Sequence, residues 1–487
     1  MRDGTPTASG TVRRDIRRTA RRPCTGLPSR PGGTRAPRDR AYQHAALRYD
    51  PTRPASNVKR TIAFIFFGGI LWAEVRSLTI LHTNDLHSRL SPDAQGRGGF
   101  AYLASAIRRE KADCPQCIVL DAGDVVQGHP ASTLYRGVPA FKLANRLGID
   151  VACLGNHEFD YGWEMISTFR KIAKYPLVSA NVTNGEGAWI GDAPYLTRTI
   201  NGVRLGIIGA MLGTLPDMTT LRVLGPWRAL PVVETVRKYA AELHPRVDLN
   251  VVVGHISEGP DILREVPEVA VVVSGHNHGG LKEPVRVGER LEVRVAGYGI
   301  ELGRLDLQVD LDARRIASST WKRIPIDSRT IPAAPDVARE VAEWDAKVAK
   351  VVDVPIGESR RMMAQPEVRA LMERAIVEEL GVDLAFVNRG GVRDVIPQGQ
   401  LLARHIWNVM PFDNRMVTGR FPGSQLPAAA REGRAIDPAR EYTFAVPDFV
   451  AFNQSSNFGV NGLEFPQAGP LLRDLLIDWV KKKKVLE

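Results

Sequence analysis

The sequence predicts an α/β fold in which parallel strands carry metal-binding side chains to one edge of a sheet. From residue 77 to about residue 325, short runs rich in Val and Ile alternate with helical stretches, which is typical of buried parallel strands. Five of these runs end in polar segments that together hold five of the ten histidines. Open α/β sheets place their active sites at the carboxyl ends of strands, so we expect these segments to meet.

The expected elements follow in chain order. Strands are predicted at 78–81, 118–120, 151–154, 251–253 and 269–273, with helices at 100–111, 138–147 and 165–173. Three prolines between residues 325 and 335 predict a boundary, and a helix at 336–351 with apolar residues at Val337, Val341, Trp344 and Val348 follows it. A second α/β unit is expected to contain helices at 366–380 and 471–480 and a strand at 384–387. The predicted domains are 74–332 and 353–487, joined by a linking helix at 333–352.

The positive charge of the chain is confined to its beginning. The 487 residues carry a formal net charge of +11, and residues 1–60 hold 15 Arg and Lys against 4 Asp, a surplus that accounts for all of it. The remainder is neutral, so the basic surface expected of a nucleic-acid-binding protein has no support there. At this length, with 44% hydrophobic residues, the chain has room for two domains with their own cores.

The first 73 residues are expected to lie outside the folded domains. Residues 1–57 predict a disordered basic leader, or an over-extended start whose true beginning lies near Val58. Residues 58–73 resemble a signal peptide, because Lys59 and Arg60 precede an apolar run of about 12 residues, shorter than the ~20 that span a bilayer. This pattern predicts a periplasmic or secreted protein without a stable membrane anchor. In that oxidising compartment Cys114 and Cys117 are expected to form a local disulfide, with a redox pair as the alternative.

The polar segments offer a ligand set for two metal ions. Asp85 and His87 are expected on one side of an extended segment, because side chains two residues apart share a face. Asp124 supplies a carboxylate that can bridge two cations. The other candidate ligands are the amide oxygen of Asn156 and the imidazoles of His255, His276 and His278. Carboxylates with imidazoles suit Zn²⁺, Mn²⁺ or Fe, and the ligand types do not choose among them. The sequence therefore predicts a hydrolase with two divalent metal ions.

These segments also resemble a known family. The motifs are Leu-His-Thr-Asn-Asp-Leu-His ending at His87, Asp-Ala-Gly-Asp ending at Asp124, Gly-Asn-His-Glu-Phe-Asp ending at Asp160 and Gly-His-Asn-His ending at His278. The first domain resembles the calcineurin-like metallophosphoesterases, and the chain from about Leu78 resembles the secreted 5′-nucleotidases, which include UDP-sugar hydrolases and 2′,3′-cyclic phosphodiesterases. The resemblance implies a four-layer arrangement, with a β-sandwich flanked by helices, a linking helix and a smaller α/β substrate domain.

The resemblance also implies roles for the site residues. One metal site would use Asp85, His87, Asp124 and His278, and the other Asp124, Asn156, His255 and His276. His157 would contact the phosphoryl group as a catalytic residue, and Asp160 would hold its imidazole in one tautomer. The alternative for Asp160 is a helix cap.

The second domain carries a weaker resemblance. Asn388 to Arg393 resembles Asn-Gly-Gly-Gly-Ile-Arg with Arg389 in place of a glycine, and 411–414 resembles Pro-Phe-Gly-Asn. The resemblance implies that Phe412 and Phe449 stack on a base, that Asn414 supplies an amide contact and that Arg393 grips phosphate. Where Gly-Gly-Asp-Gly is expected, residues 453–457 read Asn-Gln-Ser-Ser-Asn.

The function expected from these residues is an exported two-metal phosphoesterase that hydrolyses 5′-nucleotides to nucleoside and phosphate. Its partner would be a small-molecule nucleotide rather than nucleic acid, and the oligomeric state is left open. The alternatives are a UDP-sugar hydrolase, a 2′,3′-cyclic nucleotide phosphodiesterase, a thiosulfohydrolase-like enzyme and a non-catalytic binding protein. Asp160 argues against the thiosulfohydrolases, which usually lack it, and the intact ligand set argues against a non-catalytic protein.

Overall fold

The structure is a computed structural model that describes residues 74–114, 116–219, 221–431 and 433–487. The predicted leader at 1–57 and the predicted signal peptide at 58–73 lie outside the described residues. Within them, no helix combines the length and the apolar character needed to cross a membrane.

Two six-stranded sheets pack face to face in the first part of the chain. In order across the sheets, the first contains Arg315–Pro325, Glu301–Asp310, Val75–Thr83, Ile118–Asp121, Val151–Cys153 and Leu177–Val178, and the second contains Val285–Val287, Arg290–Val293, Val269–Ser274, Leu249–His255, Val203–Met211 and Tyr195–Ile200. In the first sheet the four strands from Val75–Thr83 to the edge strand Leu177–Val178 are parallel, and Glu301–Asp310 pairs antiparallel with Val75–Thr83. In the second sheet the four inner strands are parallel. One hydrophobic cluster takes side chains from both sheets, for example Ile80 and Val251, and forms the middle of the sandwich.

Helices cover both outer faces of the sandwich. The helices of this part are Phe100–Asp113, Pro130–Leu134, Val138–Ala144, Glu164–Ile172, Leu221–Leu224, Val232–Leu243 and Gly259–Glu265, and a two-stranded ribbon joins Val182–Thr183 to Arg228–Ala229. Helix Val232–Leu243 buries Val232, Val236, Tyr239 and Leu243, which are spaced so that they share one face, against the second sheet. The expected four-layer α/β architecture is therefore present.

A linking helix and a smaller α/β part complete the fold. Helix Pro335–Val352 buries all four predicted apolar positions, Val337, Val341, Trp344 and Val348. In the described part of the chain, the remaining elements are two sheets and six α-helices. One sheet contains strands Gly399–Leu402, Pro355–Ser359 and Val485–Leu486, and the other contains Leu384–Ala385, Glu441–Pro447, Arg415–Pro422 and Gln467–Leu471. The helices are Gln365–Leu380, Ala403–Val409, Ala428–Arg431, Asp448–Phe452, Gln454–Phe458 and Leu472–Lys483. The hydrophobic cluster on the outer face of the first sheet continues through the linking helix into this part. The exact domain boundaries stay a prediction.

The disulfide expected between Cys114 and Cys117 is wrong for this structure, in which both thiols are free. Cys114 Sγ instead donates to the Glu110 carbonyl at 3.1 Å. Burial, followed by the neighbouring Cys117 thiol, raises the pKa of Cys114 to about 12, which keeps the group protonated and a poor nucleophile.

Candidate metal centre and active site

The candidate ligands converge at one edge shared by both sheets. Asp85, Asp124 and Asn156 follow three neighbouring parallel strands of the first sheet, whereas His255 ends one strand of the second sheet and His276 follows the next. The carboxyl ends of parallel strands point the same way, and sandwich packing brings the two sets together. The candidate ligands therefore lie at the carboxyl ends of the strands, as predicted, but two sheets contribute them rather than one.

The backbone at the centre is sharply turned rather than extended. Asp85, His87, Asp124 and His276 all have positive φ angles, of 51°, 45°, 58° and 71°. The expectation that Asp85 and His87 share a face of an extended segment is therefore wrong. Non-glycine residues in this left-handed region cost free energy, of order 1–3 kcal/mol in sparsely populated conformations, and such conformations cluster at functional sites.

The side-chain atoms form three overlapping groups suited to metal ions. Ligand atoms lie within 4.8 Å of one another in each of the sets Asp85, His87 and His278; His87, Asp124 and His157; and Asp85, Asp124 and His255. His278 Nε2 is 3.5 Å from Asp85 Oδ1, and His255 Nε2 is 3.0 Å from Asp124 Oδ2. Asp85 and Asp124 thus each face imidazoles of two groups.

Two histidines have their outer nitrogens occupied by protein groups. His255 Nδ1 lies 2.9 Å from the Ala122 carbonyl, and His278 Nδ1 lies 3.2 Å from the Tyr298 hydroxyl. A hydrogen bond at Nδ1 fixes the tautomer that leaves the Nε2 lone pair for a cation. Asn156 Oδ1 is buried without a hydrogen-bond partner among the described residues. Buried polar atoms are normally paired, so this oxygen fits the donor set of a bound metal ion.

The electrostatics of the centre are set by burial and by its two carboxylates. Burial, and then the charge of His255, lowers the pKa of His276 to about 4. Burial, and then Arg393, lowers the pKa of His278 to about 3. Burial opposes protonation of His255, yet the carboxylates of Asp124 and Asp85 raise its pKa to about 10. The two carboxylates thus favour positive charge at this point, which divalent cations would supply.

His157 and Asp160 form a hydrogen-bonded pair beside the candidate metal ligands. His157 Nδ1 lies 2.8 Å from Asp160 Oδ2, and Gln127 Nε2 donates to the same oxygen at 2.9 Å. Burial lowers the pKa of His157, but the Asp160 and Asp124 carboxylates outweigh it and raise the pKa. The helix that follows begins at Glu164 with Trp163 at its N-cap, so Asp160 does not cap it. The contact between His157 and Asp160 has the geometry that sequence reasoning expected.

Glu158 organises the loops, a role that sequence reasoning missed. Its carboxylate accepts hydrogen bonds from the backbone N–H groups of Gly155 at 2.6 Å, Asp124 at 3.1 Å and Val125 at 2.8 Å. Burial, and then the charge of Asp124, raises its pKa to about 7. Its position inside the Gly-Asn-His-Glu motif was the available signal, since a buried acid in a tight loop usually accepts backbone N–H groups.

Tyr298 was also missed, and nothing in its local sequence marks it. Its backbone N–H donates to the Asp85 carbonyl at 2.6 Å, and its ring lies 5.2 Å from that of His87 and 5.0 Å from that of His278. The Arg89 guanidinium lies 5.2 Å from the centroid of the Tyr298 ring. Tyr298 therefore contacts three candidate ligands of one metal position.

Two of the predicted substrate-binding residues reach the centre from the second part of the chain. Arg393 Nη2 lies 3.2 Å from His87 Nε2, and its guanidinium also lies 5.6 Å from the ring centroid of Phe412. The Phe412 ring stacks on the His157 imidazole, with centroids 5.8 Å apart and an interplanar angle of 26°. These contacts bring residues more than 250 positions apart to the same place.

The other three predicted substrate-binding residues make no contact with the candidate metal ligands. Asn388 is the N-cap of the short 3₁₀ turn Arg389–Gly391, with its Oδ1 buried and unpartnered among the described residues. Asn414 is half-buried and accepts a backbone hydrogen bond from Leu472 N. Phe449 is half-buried against the hydrophobic cluster of the C-terminal sheet. The structure thus places Arg393 and Phe412 at the centre, and it shows no contact of these three with the ligands.

The chain matches two families of known proteins. Residues 78–280 match the calcineurin-like phosphoesterases, and residues 348–432 match the 5′-nucleotidase C-terminal domain. The chain is 26% identical to the trifunctional nucleotide phosphoesterase protein YfkN of Bacillus subtilis, over 73% of this chain but only 27% of that protein. It is 25% identical to the protein UshA of Yersinia enterocolitica, over 85% of this chain and 88% of that one.

Further relatives cover most of the chain. A 5′-nucleotidase of Bos taurus is 26% identical, over 76% of this chain and 74% of its own length. The crystal structure of a 5′-nucleotidase precursor from Thermus thermophilus superposes with a TM-score of 0.76 at 23% identity, over 85% of this chain and 97% of that one. At that identity the superposition supports the fold alone.

Proposed function

We propose that this chain, which belongs to the 5′-nucleotidase family of metal-dependent phosphoester hydrolases, hydrolyses 5′-nucleotides to a nucleoside and phosphate. The observation that carries the proposal is the double ligand cluster of Asp85, Asp124 and their imidazoles, beside which the second domain places Arg393 and Phe412. A metal centre supports phosphoester hydrolysis. A cation and an aromatic ring next to it support a substrate that carries both phosphate and a base.

The metal ligands in this proposal are the residues that the sequence singled out. Asp85, His87 and His278 would hold one ion, His255, His276 and Asn156 the other, and Asp124 would contact both. When bound there, two divalent ions would lower the pKa of an attacking water and would neutralise charge on the phosphoryl oxygens. Carboxylates and imidazoles suit Zn, Mn or Fe, so metal analysis of the purified protein would decide which is bound.

His157 would act as the catalytic residue at the phosphoryl group. Asp160 raises its pKa and holds Nδ1, which directs the Nε2 side of the ring away from Asp160. A protonated imidazole there stabilises the negative charge that develops on the phosphoryl oxygens, as preorganised donors do in other enzymes. Asp160 therefore serves as a positioning residue for His157.

Substrate binding would use the second domain. Arg393 forms no ion pair with a carboxylate among the described residues, and its Nε is buried and unpartnered, so its guanidinium is available for phosphate. Phe412 would stack on the base, with Phe449 as the opposing ring and Asn388 and Asn414 as polar contacts. Asn388, Asn414 and Phe449 rest on the family resemblance only, since they do not touch the centre.

The test is phosphate release by protein beginning at Glu74, loaded with Mn²⁺ or Zn²⁺. AMP, UMP, UDP-glucose, 2′,3′-cyclic AMP and bis-p-nitrophenyl phosphate are compared, with His157→Ala as the inactive control. Release from AMP or UMP that is lost in His157→Ala supports the proposal. Turnover confined to UDP-glucose or to the cyclic nucleotide would show that this ester, and not a 5′-nucleotide, is the substrate. Absence of turnover with every ester would refute the enzymatic function.

We also propose that the protein acts outside the cytoplasm, in the periplasm or as a secreted protein. The support is the signal-like composition of residues 58–73. Expression of the full chain in a bacterium, with cell fractionation and N-terminal sequencing of the mature protein, tests this. A cytoplasmic product that retains residues 58–73 would contradict it.

A further inference from the structure

One buried guanidinium holds the loop that carries Phe412. Arg473 lies in the first turn of helix Leu472–Lys483 and is 4% exposed. Its Nη1 donates to the Phe412 carbonyl at 3.1 Å, and its Nη2 donates to Asp413 Oδ1 at 2.6 Å. Both hydrogen bonds are donated by the same rigid, planar guanidinium, which therefore fixes the orientation of the backbone at Phe412.

Arg473 is in turn fixed by its surroundings. Its Cζ lies 3.7 Å from the ring centroid of Trp407, a close cation–π contact. A buried cation is costly unless it is paired, and Asp413 is its ion-pair partner among the described residues. The Asp413 side chain is 64% exposed, so the pair does not serve to bury a carboxylate. What it achieves is to tie the loop at 411–414 to the buried face of helix Leu472–Lys483.

The two ends of the loop are tied as well. Thr133 Oγ1, from the first domain, donates to the Pro411 carbonyl at 3.0 Å. Leu472 N donates to the Asn414 carbonyl at 2.9 Å. With both ends held, the remaining freedom of the loop lies in its two central residues, which are the ones that Arg473 contacts.

We propose that Arg473 is a positioning residue for nucleotide recognition, which holds Phe412 in the orientation that the base of the substrate meets. The inference rests on the proposed function, in which Phe412 stacks on the base. Asp413 occupies the position at which the resembled segment has a glycine, so the ion pair between Asp413 and Arg473 is a feature of this chain.

The experiment compares AMP with ribose 5-phosphate, which has the same phosphate and sugar but no base. Arg473→Lys and Asp413→Asn each weaken the clamp. Asp474→Asn is the matched control, because Asp474 lies in the same helical turn and forms no ion pair among the described residues. Both clamp variants are expected to raise KM for AMP about tenfold, within the range of base stacking on an aromatic ring. Their kcat, and both constants for ribose 5-phosphate, should stay within about twofold of the unaltered enzyme.

A second measurement does not depend on the substrate. Hydrogen exchange at the N–H of Leu472, which donates to the Asn414 carbonyl, should be faster in Arg473→Lys than in Asp474→Asn, because the loop would open more often. Unchanged exchange, or an equal loss of kcat/KM for both substrates, would overturn the role of Arg473. An unaltered enzyme that treats AMP and ribose 5-phosphate alike would instead refute base recognition, and the exchange result would still decide whether Arg473 holds the loop.

Discussion

Gly155 offers a steric test of the metal centre that substitutes none of the proposed ligand residues. A Cβ added at Gly155 would lie 2.1 Å from Asp124 Oδ1 and 2.5 Å from Asp124 N. The φ of Gly155 is −105°, which alanine adopts without strain, so the clash is the penalty that matters. Since ordinary contacts begin near 3.4 Å, the carboxylate of Asp124 must move by more than 1 Å.

That displacement sets the size of the expected effect. Misplacement of a reacting group by about 1 Å costs on the order of 100-fold in rate. Loss of a group that only hydrogen-bonds to a ligand already lowers metal affinity about 10–100-fold, and Asp124 is proposed as the bridging ligand itself. We therefore expect Gly155→Ala to lower kcat/KM by about 100-fold, or ~2.8 kcal/mol of transition-state stabilisation, and to lose at least one of two bound ions.

The assay measures metal content by elemental analysis, together with phosphate release from AMP at saturating Mn²⁺. Gly185→Ala is the matched control, because a Cβ at exposed Gly185 meets no atom within 4 Å. Circular dichroism shows whether the variant is folded. A folded Gly155→Ala protein that keeps two ions and its kcat/KM would refute the role of Asp124 as the shared ligand.

Four further predictions follow from the same contacts. Asp160→Asn should lower the pKa of His157, because the Asp160 carboxylate raises it. Activity that needs a protonated His157 should therefore be lost at a lower pH in the variant, and a pH–rate profile measures that shift. Tyr298→Phe keeps the ring but removes the hydroxyl near His278 Nδ1, and it should weaken metal binding about 10–100-fold by titration calorimetry. A chelator should abolish phosphate release and added Mn²⁺ or Zn²⁺ should restore it, whereas persistence of full activity in the demetallated protein would contradict the mechanism. Phe444→Ala, at a fully buried position, should lower the free energy of unfolding by about 3–5 kcal/mol in a urea titration.

Much of the fold could be predicted because its strands carry a strong local signal. The apolar runs at 118–120 and 251–253 lie inside the observed strands Ile118–Asp121 and Leu249–His255, since a strand buried on both faces must be apolar throughout. The linking helix was found to within one residue at each end, because its buried face repeats at helical spacing. The strand predicted at 384–387 is shorter, Leu384–Ala385, because its pairing with Glu441–Pro447 covers only two residues.

The candidate site was only partly predictable. The ligands could be found because each follows a strand, but their left-handed backbone could not, since Asp and His in extended and turned segments look alike in sequence. Tyr298 meets His278 across 20 residues and Arg393 meets His87 across 306, and such contacts depend on how the sandwich and the second domain pack. The burial of Arg473 could not be predicted from the sequence, because an arginine in a predicted helix is expected to be exposed unless its ion-pair partner is known.

The distribution of contacts separates the proposed chemistry from the recognition of the substrate. Every candidate ligand lies between Asp85 and His278, in the stretch that matches the calcineurin-like phosphoesterases. The contacts proposed to select a substrate come from Arg393, Phe412 and Arg473, and Arg473 lies beyond the residues that match the 5′-nucleotidase C-terminal domain. Changes in the second domain can therefore alter which ester is chosen without moving a ligand. This separation accounts for the difference between the two domains. The metal centre follows the family motifs closely, whereas the segments at 411–414 and 453–457 of the substrate domain depart from them.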